Sequence, residues 1–457
     1  MKPIPVIAIF DVGKTNKKLF LFDEQYQVVY EEKKQLDETT DEDGFPCEDI
    51  HELTKWIQTA FSTLLSDERF EIKAVNFSAY GASFVYIDKN GKVSLPLYNY
   101  LKPYPPELTR QFYDTYGGES LITKQTASPV LGSLNSGMQL YRLKYEKPEA
   151  FASIKYALHL PQYLSYVLCS AINSDITSIG CHTNLWDFQK NNYHNWVKQE
   201  GILDKLAPIK KSTEVAGYNQ FKIPVGVGLH DSSAALIPYL YSFTEPFVLL
   251  STGTWCISLN PFNHSELSDY ELQHDCLCYL SYEGKPIKAS RLFAGYEHEQ
   301  QVKRLSKHFN ASTDYYKNVT ADLELIKKIN TRNASSKEIR KEATIGQSSF
   351  GNRDLNEFRT YEEAYHQLLG DLIIQQVQSV NLVLKGTEVK QIFVDGGFSE
   401  NPVYMSLLAN AYPDIKAYSA SVAQASALGA ALAFKRYWNP QPFSSKAIYL
   451  HFFNRLE

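Results

Sequence analysis

Small, hydroxyl-bearing and acidic residues cluster at four places in this chain. Residues 9–16 read IFDVGKTN, 228–236 read GLHDSSAAL, 249–255 read LLSTGTW and 394–401 read VDGGFSEN. Each stretch joins an apolar run to a turn or a helix start. There, backbone N–H groups and short polar side chains are free to surround an anion such as a phosphate.

The run Gly13-Lys14-Thr15 has the letters that close a P-loop, G-x-x-x-x-G-K-[ST]. The first glycine of that motif is missing, because position 8 is Ala8. The residues after the run, KKLFLF, read as a strand, so no helix N-terminus is available to hold phosphate. A tight hairpin is the other phosphate cradle these letters permit. In it Gly13 lets the chain approach closely, Thr15 and Asn16 offer hydrogen bonds, and Lys14 or Lys18 offers charge. Asp11, at the strand end, suits a hydrated Mg2+. Taken alone, the stretch reads more readily as an ordinary polar hairpin.

LLSTGTW repeats the pattern of strand, small-residue turn and strand some 240 residues later. Thr252, Gly253 and Thr254 are its phosphate-facing candidates, although threonine also suits a strand end. Two such hairpins facing each other would hold a nucleotide's phosphates between them. VDGGFSEN adds a strand-to-helix turn at Gly396 and Gly397, with Asn401 near the helix start, where a ribose or a flat ring could approach. Asp231 opens a small-residue helix. It is a candidate general base and equally a candidate helix cap. His230 could bond a substrate hydroxyl or serve packing alone. Tyr80, Gly81 and Ser83 leave a strand on the same side and could line a substrate pocket.

The elements that must position these residues follow from patterning. VIAIFDVG (6–13), KKLFLFDEQ (17–25) and YQVVYEEKKQL (26–36) read as three strands of an antiparallel meander. HELTKWIQTAFSTLLSD (51–67) places Leu53, Trp56, Ile57, Ala60 and Leu64 at helical spacing. EIKAVNFSAYG (71–81) is a strand, and Asn90-Gly91 marks a hairpin within 84–100. Residues 107–205 read as mostly helical, with 173–187 as a polar loop. The strand-turn-strand unit recurs at 246–260, so two lobes are expected, 1–243 and 244–457. Helical stretches follow, and 422–437 is an Ala/Gly-rich helix suited to close packing. The EHE at 297–299 is read as part of a solvated segment, 290–301, because consecutive residues do not share a helix face.

Composition bounds the function. The chain has 457 residues, 44% apolar and 21% charged, with a net charge of −5. This is a globular composition without a nucleic-acid-binding bias. No apolar run approaches the ~20 residues of a membrane span. Six scattered cysteines form no C-x-x-C pair. A cytoplasmic protein with reduced thiols is expected, with no membrane or nucleic-acid partner. The N-x-S/T match at Asn76-Phe77-Ser78 is expected to be accidental.

The order of these parts resembles the sugar kinase/actin/Hsp70 superfamily, and GLHDSSAAL is similar to the FGGY carbohydrate kinases, most of all their rhamnulokinase and L-fuculokinase branch. Asp11 to Lys18 match the family's D-x-G-T-[TS]-S-x-[RK] hairpin, with Lys14 in place of a small residue and Asn16 in place of Ser. Gly228 and Asp231 match the G-x-x-D of the catalytic base. Ser251, Gly253 and Thr254 match S-x-G-T, and Gly396, Gly397 and Asn401 match the adenosine motif G-G-x-x-x-N. QASALGAA (424–431) matches the terminal E-A-x-A-x-G-A-A, with Gln424 where Glu is usual. Ser83 stands where an acid is common.

The resemblance implies an α/β, two-lobed, actin-like ATPase (ribonuclease H-like) fold with a five-stranded mixed sheet in each lobe. It implies ATP in the cleft, Mg2+, a sugar substrate and Asp231 as base, in a monomer or homodimer. A 6-deoxy-ketohexose such as L-rhamnulose or L-fuculose is the expected acceptor. D-xylulose, L-ribulose, a polyol, or a catalytically degenerate sugar/ATP-binding sensor are the alternatives. Chaperone and filament ATPases of the superfamily lack the G-x-x-D element.

Overall fold

The structure is a computed structural model describing residues 2–335, 348–422, 424–444 and 447–455. Ala423, in the Ala/Gly-rich stretch, and residues 336–347, in the later helical stretch, lie outside the described residues.

Strand Ile4–Val12 pairs antiparallel with Lys17–Asp23 and parallel with Phe70–Ala79. Strand Phe247–Thr252 repeats this arrangement, antiparallel to Cys256–Asn260 and parallel to Gln391–Gly396. Each unit is the centre of its own sheet, and both sheets have seven strands. This corrects the expected five. In the first sheet, Val215–Tyr218, Pro224–Gly226 and the two-residue Leu229–His230 extend the edge beside Phe70–Ala79. In the second, Cys276–Leu280, Pro286–Leu292 and Ile448–Phe453 complete the two edges.

The two-residue period of a strand sorts the first one onto two cores. Val6, Ala8 and Phe10 pack with helix Ile50–Leu65, which buries Leu53, Trp56, Ile57, Ala60, Phe61 and Leu64. Asp49 caps that helix by accepting from the His51 and Glu52 N–H groups. Ile7 and Ile9 face the other way. They pack with Leu236 and Ile237 of helix Asp231–Ser242, with Ala427–Phe434, and with Leu249 and Phe393 of the second sheet. Two helices therefore lie between the sheets. Their contact is backbone-close, since a Cβ at Gly429 would fall 1.8 Å from the Ala234 carbonyl oxygen. The second sheet's far face packs against helices Ala294–Phe309, Tyr361–Leu384 and Pro402–Ala411.

Several expectations change. The Asn90-Gly91 turn forms, with Asp88 N–H donating to Lys92 O at 2.9 Å, but its second arm is not a strand beyond the Ile87–Val93 bridge. Pro96 interrupts that arm. Strand Phe84–Ile87 pairs instead with Tyr156–His159, inside a stretch whose pattern reads as helical. The prolines there start helices rather than break them, at Pro148–Ser153 and Leu160–Cys169. The polar segment 173–187 holds the short helix Ile176–Ile179, and its residues are largely buried. Residues 294–301 begin a helix rather than a solvated segment. His298 is buried there, 2.9 Å from the Tyr365 hydroxyl, while Glu297 accepts from Ser348 N–H at 2.9 Å. Asn76 and Ser78 are fully buried. Asn76 donates to Ala430 O at 2.9 Å and accepts from Gly228 N–H at 3.1 Å. No described helix is long and apolar enough to cross a membrane.

Candidate active site

The first hairpin closes with Gly13 N–H donating to Asn16 O at 2.9 Å. The Lys17 ammonium sits on the Lys14 carbonyl at 3.0 Å, under the turn. The Lys14 ammonium is paired with Glu38 at 2.9 Å. Asp11 ends the first strand and accepts from Ser426 Oγ at 2.9 Å. Lys18 donates to Gln424 Oε1 at 3.3 Å, and Gln424 itself adopts φ +56°. The residues that open the Ala/Gly helix thus close one side of this hairpin.

The second hairpin closes one residue tighter, with Gly253 N–H donating to Trp255 O at 2.9 Å. Its surroundings differ. Thr252 Oγ1 donates to Asp395 O at 2.6 Å and accepts from Phe398 N–H at 3.0 Å. That hydroxyl therefore joins the hairpin to the Gly-Gly turn. Gly396 has φ +89°, and a Cβ there would fall 1.9 Å from Thr252 O. Gly397 faces open space. Asn401 caps helix Pro402–Ala411 by accepting from Tyr404 N–H, and donates to the Tyr365 hydroxyl at 2.7 Å. Gly295 is a residue the sequence reading missed. A Cβ there would fall 1.8 Å from Gly253 O, and the next residue, Tyr296, donates its N–H to Thr254 O at 3.1 Å.

Asp231 is the first residue of its helix, and His230 is the residue in the cap position. The Asp231 carboxylate accepts from the N–H of its own neighbour Ser232 at 2.5 Å, and His230 Nε2 lies 3.3 Å away. These contacts fall on Oδ1, and the side chain is one-third exposed, 33%. It is not used as a cap, because the cap position belongs to His230. Burial pushes the Asp11 carboxyl up to about 6 against the Ser426 hydrogen bond, and the nearby negative Asp231 raises it further. Two carboxylates thus share one space beside the first hairpin. Tyr100, also missed, stands near Asp231. Burial raises its hydroxyl pKa, and the aspartate charge adds to the effect.

His230 is buried, with Cys181 Sγ 3.4 Å from its Nε2. Burial lowers its pKa against the pull of Asp231. Its backbone N–H donates to Thr177 Oγ1 at 3.0 Å, and Thr177 in turn bonds Asp175. Asp175 is fully buried, pushed up to about 6 by burial and held by Ser212 at 2.5 Å. Gly81 is obligatory beside this histidine, since a Cβ would sit 2.8 Å from its ring. His182 and Tyr279 complete the wall, with ring centres 6.4 and 5.6 Å from His230. Burial holds His182 near 3, so its ring is neutral. Tyr80 and Ser83 are turned inward. The Tyr80 hydroxyl donates to Glu48 at 2.7 Å, and Ser83 is 1% exposed. The structure therefore brings Asp11, Lys18, His230, Asp231 and Gly81 together, commits the Tyr80 and Thr252 hydroxyls to internal hydrogen bonds, and leaves Ser83 Oγ buried without a hydrogen-bond partner among the described residues.

The first backbone turn, two carboxylates and a polar wall form a site whose groups suit phosphoryl transfer onto a hydroxyl. The chain aligns at 24% identity over 263 residues with a rhamnulokinase from Mannheimia succiniciproducens, covering 55% of this chain and 52% of that protein. A Yersinia pestis rhamnulokinase aligns at 25% over 244 residues, covering 49% and 47%. The match thus spans about half the length of these curated relatives. Among solved structures, a carbohydrate kinase from Novosphingobium aromaticivorans superposes with TM-score 0.79 at 21% identity, covering 100% of this chain and 95% of that one. A xylulose kinase from Lactobacillus acidophilus gives 0.79 at 14% identity, covering 99% and 94%. The fold is the two-lobed, actin-like one of sugar kinases. The N-terminal domain of the FGGY family of carbohydrate kinases matches residues 6–237 and the FGGY C-terminal domain matches 244–333, and the chain belongs to that family.

Proposed function

We propose that this chain is an ATP-dependent kinase that transfers the γ-phosphoryl group to a hydroxyl of a ketose, with L-rhamnulose or L-fuculose the favoured acceptors. The observation that carries the reading is the placement of an accessible Asp231 carboxylate beside Asp11 and the first hairpin. The rhamnulokinase relatives favour the acceptor class.

In this reading, residues 1–243 hold the sugar, the first phosphate hairpin and the base, and residues 244–457 hold the adenosine. Asp231 takes the proton from the sugar hydroxyl as the phosphoryl group leaves ATP. His230 and the Gly81 backbone orient the sugar. The amides of both hairpins, with Thr15, Asn16, Lys18 and Thr254, hold the phosphates. Lys14 reaches them when it leaves Glu38. Gly397 and Asn401 border the adenosine. Asp11, a half-buried acid near Asp231, fits as the residue that would hold hydrated Mg2+, which when bound neutralises phosphate charge. Packing of the two inter-sheet helices lets the lobes close and exclude water that would hydrolyse ATP. We place the protein in the cytoplasm, as a monomer or homodimer.

An ADP-release assay over L-rhamnulose, L-fuculose, D-xylulose, L-ribulose, gluconate and glycerol tests the proposal. Turnover is expected with the first two. Turnover confined to another acceptor overturns the substrate assignment, and no turnover of any acceptor overturns the activity.

A further inference from the structure

Behind the first hairpin lies an ion pair that the phosphate chemistry does not by itself require. Lys17 Nζ and Glu48 Oε1 are 2.6 Å apart, and their side chains are 3% and 4% exposed. Taking two charges out of water is costly, and such a pair is often no more stabilising than apolar residues of the same size. Its value here lies in what each end touches. The Lys17 ammonium also bonds the Lys14 carbonyl at 3.0 Å, at the tip of the turn that carries Thr15 and Asn16. The other Glu48 oxygen, Oε2, accepts from the Tyr80 hydroxyl at 2.7 Å. Tyr80 is followed directly by Gly81, which packs against His230. Glu48 ends strand Pro46–Glu48, whose partner strand carries Glu38, the residue paired with Lys14. The next residue, Asp49, caps helix Ile50–Leu65, so the Glu48 backbone is fixed from both sides.

We infer that Glu48 is a positioning residue for both substrates, with one carboxylate oxygen setting the phosphate hairpin through Lys17 and the other setting the sugar-side turn through Tyr80. The inference rests on the proposed reading of the hairpin as the ATP phosphate site. Each arm has its own signature. Losing the Lys17 arm frees the Lys14 carbonyl and loosens the amides around ATP. Losing the Tyr80 arm loosens Gly81 and the segment against His230.

The test measures the ATP dissociation constant by equilibrium titration, the sugar KM at saturating ATP, and the melting temperature. Lys17→Met is expected to weaken ATP binding by about tenfold and leave the sugar KM unchanged. Tyr80→Phe is expected to raise the sugar KM by about fivefold and leave ATP binding unchanged. Glu48→Gln is expected to move both. Lys17→Met/Glu48→Gln, which leaves no unpaired buried charge, is expected to bind ATP no worse than Glu48→Gln alone and keeps the test open if a single variant folds poorly. If Lys17→Met and Glu48→Gln lower the melting temperature but change neither constant, Glu48 is structural only and the inference fails. Gly13→Val separates the two levels. ATP affinity lost in Gly13→Val but kept in Lys17→Met overturns the inference alone, whereas affinity kept in both overturns the hairpin reading as well.

Discussion

Each hairpin closes with a glycine N–H donating across its turn, to Asn16 O in the first and Trp255 O in the second, and the two are held in place by different means. The first is fixed by charge, through the buried Lys17–Glu48 pair, the Lys14–Glu38 pair and the Lys18–Gln424 contact. The second is fixed by the hydrogen bonds of the Thr252 hydroxyl, by the close approach of Gly295 and Gly396, and by the Arg291 guanidinium over the Trp255 ring. A turn held by charge adapts when a charged ligand arrives, because an ammonium can re-pair. A turn held by backbone contact cannot move without its neighbours. In the proposed reading the first hairpin is the responsive jaw and the second the fixed one.

The glycines give the largest contrast. Alanine at Gly295 or Gly396 drives a Cβ to within 1.8 and 1.9 Å of a backbone oxygen. Each is expected to cost about 3 kcal/mol or more and to remove ATP binding, read by thermal melting and titration. At Gly13 the nearest atom is 3.1 Å away, so alanine there is expected to cost about 1 kcal/mol or less. Equal effects at Gly13 and Gly295 would erase the distinction between the jaws.

A pH titration reads the buried histidines of the first lobe. Burial holds His159 and His182 near 3, below the ordinary histidine value of 6.5. A lowered histidine pKa contributes stability that is present above 6.5 and lost as pH falls toward 3. Between pH 6.5 and 5 each is expected to cost about 2 kcal/mol, read as the pH dependence of unfolding. His182→Asn should flatten that slope.

Thr252→Val removes a hydroxyl bonded on both sides and leaves the Phe398 N–H without its partner. A loss of about 2 kcal/mol is expected, with ATP affinity falling and the sugar KM unchanged. The smallest effect belongs to the exposed pair. Lys14→Ala is expected to raise the KM for ATP by about threefold, and Glu38→Gln, which frees Lys14, to lower it, with both effects shrinking in high salt. No change in either variant would make Lys14 a solvated side chain.

Much of this was legible in the sequence. The strand-turn-strand repeat, the helix at 51–67 and the small-residue helix after Asp231 follow from local periodicity and turn chemistry, and the structure has all three. The ordered motifs pointed to the family. What the sequence hid depends on contacts between distant segments. Gly295 is marked only by its approach to Gly253, and Asn76 by bonds to residues 228 and 430. Tyr80 and Thr252 carry hydroxyls whose partners no local pattern reveals. Strand Tyr156–His159 was masked by flanking prolines that start helices, and Phe84–Ile87 chose it over the nearer arm containing Pro96.

In the proposed mechanism Asp231 removes the proton of the sugar hydroxyl. Asp231→Asn keeps the size of the side chain and abolishes its basicity. Its kcat for the accepted ketose should fall by about a thousandfold, while ATP affinity and sugar binding stay near those of the parent chain. A variant that retains kcat while binding both substrates would contradict the account.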